Sequence, residues 1–112
     1  MAVFERGDIV SVLLDPVMGH EQRGTRPALV LTTKAFNRLG DVLVAPITQG
    51  GDYARYAGFA VTLTGTGCKA QGVALVDKIR MLDLAVCQAR KVERVPQEAI
   101  DDAIGRLIAL LD

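Results

Sequence analysis

The chain carries an acid, a base and a cation close together: His20, Glu21 and Arg26, with Gln22, Arg23 and Thr25 between them. Cleaving RNA without a metal requires a base to take the 2′-OH proton, a cation to hold the extra charge of the phosphorane, and an acid to protonate the leaving 5′-oxygen. Glu21, Arg26 and His20 are one of each. Arginine suits the cationic role because its planar fork stays protonated and matches two phosphate oxygens at once. An exposed Glu21–Arg26 ion pair beside a solvated His20 would use the same side chains, and residue type alone does not separate the two readings.

A second polar stretch runs from Thr48 and Gln49 through Gly50, Gly51 and Asp52 to Gly58. Tyr53 and Tyr56 offer faces on which unpaired bases can stack, and Arg55 between them can meet a phosphate. Two loop tyrosines also commonly cap a core edge or a protein contact. Asp77 and Arg80 stand just past an apolar run, where they either face a cleft or pair on the surface. Other chemistries lack their residues: there is no G-x-S-x-G elbow, no P-loop and no G-x-G-x-x-G opening a helix. Cys68 and Cys87 form no C-x-x-C pair, neither stands near His20 in sequence, and one histidine with scattered carboxylates makes a poor metal site. Neither a metal nor another cofactor is expected.

These residues need a frame. Six short strands are predicted, at Asp8 to Leu14, Pro27 to Thr33, Asp41 to Ile47, Phe59 to Leu63, Gly72 to Val76 and Ala85 to Val92, with a helical turn over Lys34 to Leu39. Ile100, Ala103, Ile104, Leu107, Ile108 and Leu111 recur at helical spacing, so 96–111 reads as an amphipathic helix with Pro96 at its start. The expected architecture is mainly β, a small barrel with one C-terminal helix packed across it. A chain of 112 residues, 50% apolar and 23% charged, suits one domain over 1–112 with a real core.

No apolar run is long enough for a membrane span, and Met1 to Arg6 lacks the layout of a signal peptide, so the cytoplasm is the expected compartment. The 13 basic and 13 acidic residues are unevenly spread, with ten bases and five acids in 20–91. A basic surface able to hold a polyanion is compatible with that middle segment.

Arg6-Gly7-Asp8-Ile9-Val10, Leu14-Asp15-Pro16, Gly19-His20-Glu21-Gln22 and Gly24-Thr25-Arg26-Pro27-Ala28-Leu29-Val30-Leu31 together resemble the opening of the MazF/PemK family of bacterial ribonuclease toxins. Ala45 to Gly51, Ala54-Arg55, Ala57-Gly58-Phe59, Gly72-Val73, Val76-Asp77, Glu93 to Pro96 and Gly105-Arg106-Leu107 are similar to its PemK (Kid) and ChpB branch. The resemblance implies an SH3-like barrel with a C-terminal helix, acting as a homodimer that cuts single-stranded messenger RNA at short motifs. It also implies metal-free attack by the 2′-OH, a 2′,3′-cyclic phosphate product, and a cognate antitoxin with a flexible acidic tail.

Carried over residue by residue, the resemblance matches Glu21, Arg26 and Thr48 to the MazF-type active site, and His20 and Asp77 to the histidine and aspartate of Kid. Gln22, Arg23, Gln49, Tyr53, Arg55, Tyr56 and Arg80 are the candidate RNA contacts. Leu75 departs from the pattern, since Kid has a functional arginine there, and so does Ser11, where many relatives have tryptophan. Arg26 is thereby assigned to transition-state stabilisation and Glu21 or Asp77 to the base, with His20 left as a candidate acid. The alternative is a CcdB-like toxin on the same barrel, which binds gyrase and catalyses nothing; such a protein has no use for Glu21 and Arg26 beside Thr48.

Overall fold

The computed structural model describes residues 3–12, 25–49, 59–63, 65–83 and 88–112. Its strands are β1 (Asp8–Val12), β2 (Arg26–Val30), β3 (Asp41–Thr48), β4 (Ala60–Thr62), β5 (Val73–Leu75), β6 (Arg80–Asp83) and β7 (Arg90–Arg94). A short helix α1 (Lys34–Asn37) precedes β3, a 3-10 turn (Val76–Lys78) joins β5 to β6, and α2 (Gln97–Leu111) ends the chain. All pairings among these strands are antiparallel, in the order β4-β5-β3-β2-β1-β7, with β6 also on β3.

One edge of β3 pairs with β2, while the other is divided: Asp41–Val44 pair with β6, and Ile47 and Thr48 with β5. A strand shared in this way makes the corner at which a sheet turns over its own core. The result is the expected mainly β, barrel-like fold with a C-terminal helix, although the described strands leave β4 and β7 as ends rather than closing the ring.

Both faces of the central strands are apolar. Ile9, Leu29, Ala45, Ile47, Val61 and Ala74 pack with Ala99, Ile100 and Ala103 of α2 on one side. Val10, Val12, Ala28, Val30, Val42, Val44 and Leu82 pack with Phe4 and Ala89 on the other. Burial on two faces explains why the strand sequences read as continuous apolar runs instead of alternating. The small residues of α2 let it approach closely, and Gly7 completes the fit: at φ +97° a Cβ there would lie 2.3 Å from Ile100 Cδ1.

Polar anchors fix where the strands stop. Leu31 N–H still donates to the Leu43 carbonyl at 2.9 Å, but Leu43 N–H turns to Thr32 Oγ1 at 3.1 Å, and the Leu31 carbonyl accepts Arg6 Nε at 2.7 Å. The ladder therefore breaks after Val30, three residues before the end expected from sequence. Buried Asn37 accepts from the Thr32 hydroxyl at 2.6 Å and donates to the carbonyls of Phe4 and Thr32 at 2.8 and 3.0 Å, tying α1 to the N-terminal segment.

The predicted helix is found within a residue of its expected start, and the helical turn after Thr33 is α1. The sequence reading omitted β6 and placed the last strand at Ala85 to Val92, whereas β7 is Arg90–Arg94. Among the described residues no helix is long and apolar enough to cross a membrane.

Asp8, only 2% exposed, is the one buried charged residue among the described residues. Its Oδ2 accepts Glu5 N–H at 2.9 Å, and its Oδ1 stands 3.5 Å from both Lys91 Nζ and Arg94 Nη1, joining β1 to edge strand β7. Removing a buried acceptor that serves an N–H and two cations costs about 1.5–3 kcal/mol. Asp8→Ala should lower the unfolding free energy by that amount, read as a lower urea midpoint at unchanged slope; an unchanged midpoint would show that the β1–β7 link contributes nothing.

Candidate active site

Arg26 is the first residue of β2 and Thr48 the last of β3. Their strands pair as far as Ala28 with Pro46, and the same register continued two residues on would set Arg26 opposite Thr48. Directly opposite residues hold their Cβ atoms about 4.5–5.5 Å apart, on one face of the sheet. That face is the one of Ala28, Val30 and Val44, away from α2. The row continues on both sides, with Val12 opposite Arg26, Val73 opposite Thr48 and Thr62 opposite Val73.

Both polar stretches of the sequence connect to this row. Residues 13–25 lie between Val12 and Arg26, and residue 49 follows Thr48 directly. Arg26 and Gln49 are exposed and Thr48 half-buried, its hydroxyl donating to the Gln49 carbonyl at 3.3 Å. Ser11, which stands where many relatives have tryptophan, hydrogen-bonds the Thr25 hydroxyl and holds the approach to Arg26 against β1.

Asp77 lies on the 3-10 turn, which packs against β3 and α2. Its residue is half-buried, but its Oδ1 is fully buried and, among the described residues, without a hydrogen-bond partner. An unsatisfied buried oxygen costs about 1–3 kcal/mol, so its presence asks for a reason other than stability. Arg80 opens β6 opposite Val44, on the same face as Thr48 and four residues from it along β3, roughly 13 Å at the usual rise. Leu75 is buried on β5; its place two residues from Val73 puts it on this face as well.

Register thus brings Arg26 and Thr48 together, sets Asp77 and Arg80 on the segment that follows β3's other edge, and keeps Gln49 beside Thr48. His20, Glu21, Gln22, Arg23, Tyr53, Arg55 and Tyr56 lie outside the described residues. Sequence reasoning did not find the Ser11–Thr25 link or the apolar flank made by Val73 and Leu75. The flank follows from the β3–β5 register, which sets Val73 opposite Thr48; a hydroxyl pair across two strands leaves no sequence signal.

Residues 5–111 match the family described as the PemK-like, MazF-like toxin of type II toxin-antitoxin systems. The endoribonuclease toxin ChpB of Escherichia coli strain K12 is 52% identical over 110 residues, covering 97% of this chain and 95% of ChpB. The endoribonuclease PemK of Escherichia coli is 46% identical over 108 residues, 96% of this chain and 81% of PemK. A crystal structure of MazE-MazF (Form-III) from Deinococcus radiodurans matches with a TM-score of 0.81 at 31% identity, over 98% of this chain and 97% of that one. With a family match over almost its whole length and relatives this similar, the chain belongs to the PemK-like, MazF-like toxins of type II toxin-antitoxin systems, on their PemK/ChpB branch.

Proposed function

We propose that this chain is the endoribonuclease toxin of such a system, acting in the cytoplasm on single-stranded messenger RNA at short sequence motifs, without a metal or other cofactor. The observation that carries the reading is the shared row of Arg26 and Thr48 at the sheet end where both polar stretches attach. ChpB and PemK, similar over nearly the whole chain, are endoribonucleases by name.

In the proposed reaction Glu21 or Asp77 takes the proton of the 2′-OH, and O2′ attacks the adjacent phosphorus. The phosphorane's added negative charge meets the Arg26 guanidinium, with the Thr48 hydroxyl as a neighbouring donor. The bond to the 5′-oxygen then breaks, His20 supplies the proton to that leaving oxygen, and the products are a 2′,3′-cyclic phosphate and a free 5′-OH. Asp77 is the alternative base through its half-buried carboxylate on the turn beside β3. Gln22, Arg23, Gln49, Tyr53, Arg55, Tyr56 and Arg80 then hold the strand by phosphate contacts and stacking.

The partners follow from the same surface. A cognate antitoxin with a flexible acidic tail would seek the cations that meet RNA, and the MazE-MazF complex supports an antitoxin partner for this fold. A homodimer is the assembly proposed, since Ile108 and Leu111 at the end of α2 are 58% and 76% exposed and would be covered by a second copy.

Cleavage of a long transcript in EDTA is the first test, and a gyrase-binding protein would leave the RNA intact. Arg26→Ala should slow it by about 10²-fold or more while the fold is kept. Between Glu21→Gln and Asp77→Asn, the variant that loses activity identifies the base, because each keeps shape and removes basicity; full activity of both would discard the assignment. An acidic antitoxin-tail peptide and an uncleavable RNA lacking the 2′-OH should compete for the toxin, both weakening as salt rises. A stable ternary complex would place inhibition elsewhere. Sedimentation at micromolar concentration should show a species of twice 12.0 kDa, and an active monomer would remove the dimer from the reading.

A further inference from the structure

Gly72 is buried immediately before β5, at the point where Val73 pairs with Thr48. It adopts φ +105°, and a Cβ on it would lie 2.1 Å from the Thr48 carbonyl oxygen, 2.8 Å from the carbonyl carbon and 3.2 Å from Gln49 Cα. All three are backbone atoms, so no rotation of a side chain makes room. Gly72 is also held from its other side, where its carbonyl accepts Leu63 N–H at 2.9 Å. The Thr48–Gln49 peptide therefore rests against the bare Cα of a residue that cannot retreat.

We propose that Gly72 is a positioning residue for the cleavage reaction, its missing side chain setting the peptide after Thr48 and so the place of the Thr48 hydroxyl opposite Arg26. This rests on the reading that Thr48 takes part in cleavage. Ordinary van der Waals contact begins near 3.4 Å, so a methyl group at 72 displaces the Thr48 carbonyl by more than an ångström. A misplacement of that size at a reacting group costs about 10²-fold in rate.

The glycines of this chain supply their own controls. Gly67 has φ +89° with nothing within 4 Å of its Cβ position, so Gly67→Ala carries the backbone strain without the collision. Gly7→Ala carries both, but its collision is with Ile100 in the core on the far side of the sheet. Thr48→Ala and the Gly72→Ala/Thr48→Ala double variant complete the set. Each is assayed below its thermal midpoint, for single-turnover cleavage of an RNA oligonucleotide spanning a mapped site and for binding of the same oligonucleotide with a 2′-deoxy nucleotide at that site.

Gly72→Ala should cleave about 30- to 100-fold more slowly while binding the deoxy analogue within about threefold of wild type. Gly67→Ala and Gly7→Ala should lose thermal stability but keep the cleavage rate within about threefold, and the double variant should be no slower than Thr48→Ala, because the two changes act through one group. A Gly72→Ala enzyme as fast as Gly67→Ala, a double variant slower by the product of both effects, or a loss in binding instead of rate would each overturn the inference. Wild-type cleavage by Thr48→Ala would instead overturn the underlying reading of Thr48, and the inference with it. If Gly72→Ala does not fold, Gly72→Ala/Gln49→Gly, which frees the displaced peptide, is compared with Gln49→Gly alone: slower cleavage by the double variant supports positioning. Equal cleavage, or failure of that variant to fold as well, reduces Gly72 to a residue of the fold.

Discussion

The pairing of β3 on both edges is the constraint from which the candidate site follows. Eight residues are shared among β2, β5 and β6, and four of them are buried between apolar layers. In a sheet with one wet face, a slip of one residue would expose the core and so is forbidden. Here Val44 and Ala45 are both fully buried on opposite faces, so polarity alone holds the register only weakly. Groups outside the ladder hold it instead. The Thr32 hydroxyl takes the Leu43 N–H near one end, and Gly72 receives the Thr48–Gln49 peptide at the other. Thr48 thereby faces Arg26 through a chain of fixed contacts that begins far from either side chain.

That architecture was legible where a single element carries its own signal. The period of Ile100, Ala103, Ile104 and Leu107 gives α2 directly, and the apolar runs after Asp8, after Arg26 and after Asp41 give β1, β2 and β3. Strand β6 escaped because Arg80-Met81-Leu82-Asp83 buries only Leu82, and its pairing with β3 is decided by the 3-10 turn that precedes it. β2 stopped short of the sequence reading because a threonine hydroxyl competes with the backbone for Leu43 N–H, which no propensity encodes. Of the candidate site, residue types were readable and their juxtaposition was not: Arg26 and Thr48 stand more than twenty residues apart, and only the β2–β3 register joins them.

Charge along the chain translates poorly into charge on a face. Lys91 and Arg94 add to the basic middle and end of the sequence, yet both lean on the buried Asp8, and Arg106 is engaged by Asp102 at 2.8 Å within α2. Glu93 is likewise unavailable to cancel cations elsewhere, because its two oxygens accept the N–H groups of Lys69 and Ala70 at 2.9 and 2.8 Å and secure that turn to β7. Structural pairing thus engages charge near β7 and α2, and Arg26 and Arg80 stand at exposed strand starts on the face of Thr48. Where a cation stands on the surface is therefore set by the strand that carries it, not by the composition of the segment.

Leu75 changes the balance on that face further. An arginine there, as in Kid, would bring a donor into the row beside Thr48; leucine brings an apolar flank, continuous with Val73, along the segment that leads to Asp77. This flank borders the row on its β5 side, while Arg26 on the β2 side is exposed, so any water the row excludes is excluded beside Thr48. Asp77 Oδ1, on the turn that follows β5, has no hydrogen-bond partner among the described residues, a loss of stability that one added donor would remedy.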